Sequence, residues 1–107
     1  MIQVCIRSAA GSVRNVTVRG HAGFAPKGKD LVCAAVSALV QTYLFSLRRM
    51  LGIDVVAEIR EGYLALTLPA ELPPDTKKDA NLLAGSMLVG LEEINRSYPG
   101  YLEVKQE

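Results

Sequence analysis

One histidine and two cysteines bound the nucleophilic chemistry open to this 107-residue chain. Cysteine–histidine chemistry needs a thiolate to attack and an imidazole that takes the thiol proton and later gives it to the leaving amine. His21 must be that imidazole, which leaves Cys5 or Cys33 as the thiol. Cys33 has the better setting. It falls at the third position of an expected helix whose N-cap is Asp30. Free backbone amides and the helix dipole there favour negative charge, which raises the thiolate fraction. The same first-turn amides can receive the oxyanion of a tetrahedral intermediate. Ser37 follows Cys33 by four residues and shares its helix face; its hydroxyl can meet the imidazole or thiol, or bond the carbonyl four residues back. Asp30 likewise has two readings, a cap on the helix or a group that orients His21.

Other uses of these residues fit less well. The spacings of Cys5, His21 and Cys33 match no usual zinc pattern, so no metal is expected. A redox thiol wants a resolving cysteine. Cys5 is the one candidate, on the strand face opposite Ile2, Val4 and Ile6, and it reads as packing or surface. No cofactor is implied.

The elements that must position the pair follow from periodicity. Ile2, Val4 and Ile6 alternate with Gln3, Cys5 and Arg7, a half-buried strand. Val16 and Val18 alternate with Asn15, Thr17 and Arg19, a second strand that ends at Gly20-His21. Ala22–Lys29 contains Gly23, Pro26 and Gly28 and reads as a mobile loop. A long helix is expected from Asp30 to about Leu51, stopped by Gly52. Ile53–Arg60 and Tyr63–Leu68 flank Glu61-Gly62, a second hairpin. Pro73-Pro74 opens another helix, in which Ala80, Leu83, Met87, Leu91, Ile94 and Tyr98 recur at helical spacing. Tyr101–Lys105 is a short last strand. The order ββαββαβ predicts an α+β fold over residues 1–107, a single domain with one largely antiparallel sheet packed against two helices.

Composition narrows the class. Half the residues are hydrophobic and 21% are charged, as in an ordinary globular protein. A net charge of +1 gives no broad signature for nucleic acid. Its distribution is uneven: residues 1–53 hold seven Lys/Arg and one acid, and residues 54–107 hold five Lys/Arg and ten acids. Either the halves pack together and interleave their charges, or the acidic half receives a basic substrate. Two cysteines without a spacing pattern do not make a disulfide scaffold. The start of the chain reads as a strand and lacks the apolar stretch of a signal peptide. Leu31–Leu47 is free of charge but holds Ser37, Gln41, Thr42 and Ser46 and is short for a membrane span, so it reads as a core helix. A cytoplasmic protein without a membrane contact is expected.

A family resemblance sharpens the chemistry. Gly20-His21-Ala22-Gly23, then Gly28, then Asp30-Leu31-Val32-Cys33-Ala34-Ala35-Val36-Ser37-Ala38-Leu39 resembles the signature of the ribosomal-processing cysteine proteases, the bacterial Prp family. Leu31 stands where isoleucine is usual, a near-isosteric change. The resemblance implies a cysteine endopeptidase that removes the short N-terminal extension of a large-subunit ribosomal protein. It implies Cys33 as nucleophile, His21 as base, Asp30 and Ser37 in support, and a homodimer. The loop carrying Gly20, Ala22, Gly23, Phe24 and Gly28 is expected to move with substrate, with Phe24 either touching the peptide or anchoring the closed loop. The alternative from another class is a non-catalytic, ribosome-associated peptide-binding module.

Overall fold

The computed structural model describes residues 1–21, 25 and 30–107. The elements run β1 (Ile2–Ala9), β2 (Ser12–Arg19), α1 (Leu31–Arg49), β3 (Val56–Arg60), β4 (Tyr63–Thr67), α2 (Pro74–Ser97) and β5 (Leu102–Gln106). This is the expected α+β order. The boundaries differ by a few residues. Ile53 and Val55 are buried but precede the strand, because the chain must first turn off α1. The Ile53 amide closes that turn on the Leu47 carbonyl at 3.0 Å. β5 starts one residue later than expected and ends one later.

The five strands are ordered β3-β4-β2-β1-β5. All pairings are antiparallel except β1 with β5, where Ile2 stands opposite Leu102 and Val4 opposite Val104. Alternation decides the faces. Ile2, Val4, Ile6, Val16, Leu64, Leu66 and Leu102 point to one side and are buried. On α1 the buried positions Val32, Val36, Val40, Tyr43, Leu44 and Leu47 repeat at helical spacing, and α2 adds Ala80, Ala84, Met87 and Leu91. Both helices therefore cover one sheet face, and no described helix covers the other. α1 is long and apolar enough to cross a membrane by length and composition. Its uncharged face from Val36 to Leu47 is spent on this core. The two charge-biased halves meet through β1 and β5, where Arg7 Nε lies 3.3 Å from Glu107 Oε2.

One core group is poorly placed. The Tyr43 hydroxyl is buried and has no hydrogen-bond partner among the described residues. Burial pushes its phenol up to about 12. A buried unpaired hydroxyl costs about 1–3 kcal/mol, so Tyr43→Phe should stabilise the fold by about 1 kcal/mol. In a domain of this size that is a rise in Tm of about 4–8 °C. The sign with pH follows from linkage. The folded phenol holds its proton to a higher pH than the unfolded one, so its contribution is complete below about pH 10 and is lost between about pH 10 and 12. Thermal melts across that window should fall less steeply for Tyr43→Phe than for the wild type.

Candidate active site

His21 follows β2 after Gly20, and its place is set by two glycines. The Gly20 amide donates to the Gly62 carbonyl at 2.9 Å, which ties the end of β2 to the β3–β4 turn. The imidazole then lies across Gly62: a Cβ on that residue would sit 3.1 Å from His21 Nε2. Gly62 also adopts φ +69°, a left-handed conformation that side chains resist. The turn needs glycine twice over, for its backbone and for the ring above it. His21 itself is exposed.

Cys33 is positioned by the start of α1. Asp30 is the N-cap, with extended backbone, and its Oδ1 accepts the Cys33 amide at 3.0 Å. Asp30 thus caps the helix, which leaves open whether it also acts on His21. The cap corrects another expectation. The Cys33 amide is committed to the cap, so it is not a spare donor for an oxyanion. Leu31 and Val32 supply the other first-turn amides. Loss of the cap in Asp30→Ala should cost about 1 kcal/mol, and Asp30→Asn, which still accepts the bond, only a few tenths. Thermal melts of the two variants check this.

Helix geometry continues the site. Cys33, Ser37 and Gln41 recur every four residues, so they share one face of α1. Together with Val36 and Val40 they form one wall of a cleft of about 220 Å³. Gly20 and His21 form a second wall, and Ile59, Arg60, Gly62, Tyr63 and Leu64 of the β3–β4 hairpin a third. The cleft thus brings together His21, Cys33 and Ser37, which the sequence singled out, with Gly20 beside them. Asp30 acts from behind, through the Cys33 backbone. Ala22, Gly23, Phe24 and Gly28 lie outside the described residues.

Three contributors were missed by sequence reasoning. Gln41 had a signal, since it continues the Cys33–Ser37 spacing by another turn. Arg60 and Tyr63 had none, because only the hydrogen bond from Gly20 to Gly62 reveals that this hairpin reaches the site. The Tyr63 ring is held by two guanidinium groups, Arg60 at 4.4 Å and Arg19 at 5.4 Å from its centroid. Arg60 is further held by Glu58 at 3.1 Å.

The second thiol is elsewhere. Cys5 lies on the open sheet face, half-buried, with Sγ 3.5 Å from Glu107 Oε1. Burial, and then the bond and charge of Glu107, push its pKa up. A raised pKa lowers the thiolate fraction and makes it a poorer nucleophile. No cluster of three or more metal-ligating side chains occurs among the described residues.

Cys33, near the start of α1, and His21 line one cleft, and comparison with known proteins supplies the class, a cysteine peptidase. The family described as cysteine protease Prp matches residues 1–103. The ribosomal processing cysteine protease Prp of Bacillus subtilis is 37% identical over 107 residues, covering 97% of this chain and 96% of that one. The Prp of Mycoplasma genitalium is 33% identical over 86% of this chain and 87% of its own. Among solved structures, the essential ribosomal processing protease Prp of Staphylococcus aureus, in complex with a covalently linked product peptide, superposes with a TM-score of 0.86 at 26% identity over 100% of both chains. The chain belongs to the Prp family of ribosomal processing cysteine proteases and is a cysteine-type peptidase.

Proposed function

We propose that this chain is a single cytoplasmic endopeptidase domain that removes the short N-terminal extension of a bacterial large-subunit ribosomal protein, with Cys33 as nucleophile and His21 as its base. The observation that carries the reading is the shared cleft: the one histidine and the helix-start cysteine line the same opening although they stand twelve positions apart in sequence. The covalently linked product peptide of the Staphylococcus aureus relative supports a nucleophilic route.

In this reading His21 takes the Cys33 thiol proton, and Sγ attacks the scissile carbonyl carbon. The tetrahedral oxyanion is received by the Leu31 and Val32 amides. The proton passes from His21 to the leaving nitrogen, the C–N bond breaks, and a thioester to the extension remains. Water, losing a proton to His21, attacks the thioester; the extension leaves as an acid and the thiol is restored. Ser37 and Gln41 lie one and two turns beyond the thiol and serve as polar contacts for the peptide. Val36, Val40, Ile59 and Leu64 give the cleft an apolar lining suited to an apolar side chain of the peptide. No cofactor or metal takes part.

The family resemblance supports a homodimer. Leu82 and Val89 of α2 are 72% and 60% exposed and lie two turns apart on one face, an apolar surface on the outside of the helical layer.

The test is a synthetic peptide of the extended ribosomal-protein N-terminus. The wild type should release one product pair, and iodoacetamide should alkylate Cys33 before Cys5. Sluggish, equal labelling of both thiols with no cleavage would overturn the assignment.

A further inference from the structure

β3 is an outer strand of the sheet, paired on one side with β4. Arg60 and Tyr63 flank the two-residue turn Glu61-Gly62 and stand opposite each other. Such a pair exchanges backbone hydrogen bonds, and the pattern alternates along the strand from there. Val56, Glu58 and Arg60 therefore aim their amides and carbonyls at β4. Ala57 and Ile59 aim theirs outward, at no strand of the sheet.

The edge carries few of the usual guards. It has no proline, no lysine and no bulge, and its side chains include the exposed apolar Val56 (69%) and Ile59 (50%). Its two charges, Glu58 and Arg60, pair with each other at 3.1 Å, which leaves the strand nearly neutral. The other outer strand, β5, holds Glu103, Lys105 and the neighbouring Glu107, with ion pairs along it. Charge shields one edge of this sheet and not the other.

The unshielded edge is continuous with the cleft. Ile59 and Arg60 line it together with His21 and Cys33. A chain extended along Ala57–Ile59 therefore runs into the opening. Attack on a peptide bond needs the flanking chain extended and held still, and an open strand edge does both with backbone hydrogen bonds alone.

We propose that the peptide substrate docks as an added strand on the free edge of β3, bonded to the backbones of Ala57 and Ile59, and passes from there into the cleft beside Cys33. This rests on the peptidase reading of the cleft. The side chains that fill the cleft select the residue at the cut; the β3 edge supplies sequence-independent grip on one flank.

Binding of a fluorescein-labelled substrate peptide to the Cys33→Ala protein separates docking from chemistry. The Ala57 amide points outward, so Ala57→Pro removes a donor toward the substrate and none toward β4, and an edge strand accepts proline there. Adding Ala57→Pro should weaken Kd by about tenfold. N-methylation of single peptide amides should weaken binding at alternate residues on one flank of the cut and leave the residues between unchanged. Uniform or absent effects across that scan, with Ala57→Pro still binding as its parent, would overturn the proposal. If Ala57→Pro does not fold, the peptide scan decides alone. An alternation in Kd without cleavage by the wild type would uphold the edge and sink the peptidase reading. A change of mass in sedimentation on Ala57→Pro, with unchanged peptide Kd, would assign the edge to a second copy of the chain and also overturn the proposal.

Discussion

Cys33→Ala should lower the rate of peptide cleavage by at least about 10³-fold while leaving the fold in place. The two halves of this expectation come from different features. The rate falls because no other thiol faces the cleft: Cys5 is on the opposite sheet face, where burial and Glu107 raise its pKa. The fold survives because the side chain of Cys33 is half-buried, and because the bond that matters to α1 runs from its backbone amide to Asp30, which alanine keeps. Alanine is also the better helix former. Tm should change by only a few degrees. Cys33→Ser should be nearly as inactive, since a hydroxyl in the same place gives up its proton far less readily than a thiol. His21→Ala should slow both cleavage and alkylation of Cys33, and leave labelling of Cys5 unchanged. Cleavage retained in Cys33→Ala would place the nucleophile elsewhere. Cleavage lost together with the melting transition would show only that the helix start had been damaged, which is why the Asp30 variants belong in the same experiment.

The strands and helices were legible because their apolar residues alternate or recur at helical spacing, and one face of each is buried. Ile2, Val4 and Ile6 or Val36, Val40 and Leu44 carry that signal without help from the rest of the chain. The Asp30 cap was legible for the same reason: it is a contact over three residues. What could not be read was long-range. Nothing near β1 announces that β5 will pair with it in parallel from a hundred residues away. Nothing in Arg60 or Tyr63 says that they will stand beside His21. Cys33 and His21 stood out by their chemistry, but the cleft that joins them depends on the register of β2 with β4, where Arg19 meets Tyr63 and so brings Gly20 to Gly62. The contact between the two charge-biased halves also depends on long-range register, because Arg7 meets Glu107 through the β1–β5 pairing.

Gly62 carries the sharpest consequence of that register. Gly62→Ala should reduce kcat by about 10- to 100-fold, the usual cost of moving a catalytic group by about an ångström. The added Cβ would meet His21 Nε2 at 3.1 Å, closer than an ordinary contact, and the exposed ring has room only to move away. Backbone strain accompanies the clash, since alanine at φ +69° costs about 1–2 kcal/mol. Two further variants separate these effects. Gly11 has φ +76° and open space where a Cβ would go. Gly11→Ala should therefore lose stability much as Gly62→Ala does and keep full activity. Gly62→Asn tolerates the left-handed backbone better but still carries a Cβ. It should melt closer to the wild type and remain as impaired as Gly62→Ala. A Gly62→Asn protein with the wild-type kcat would mean that the imidazole does not work from its place over the turn, and that His21 must leave it before Cys33 can act.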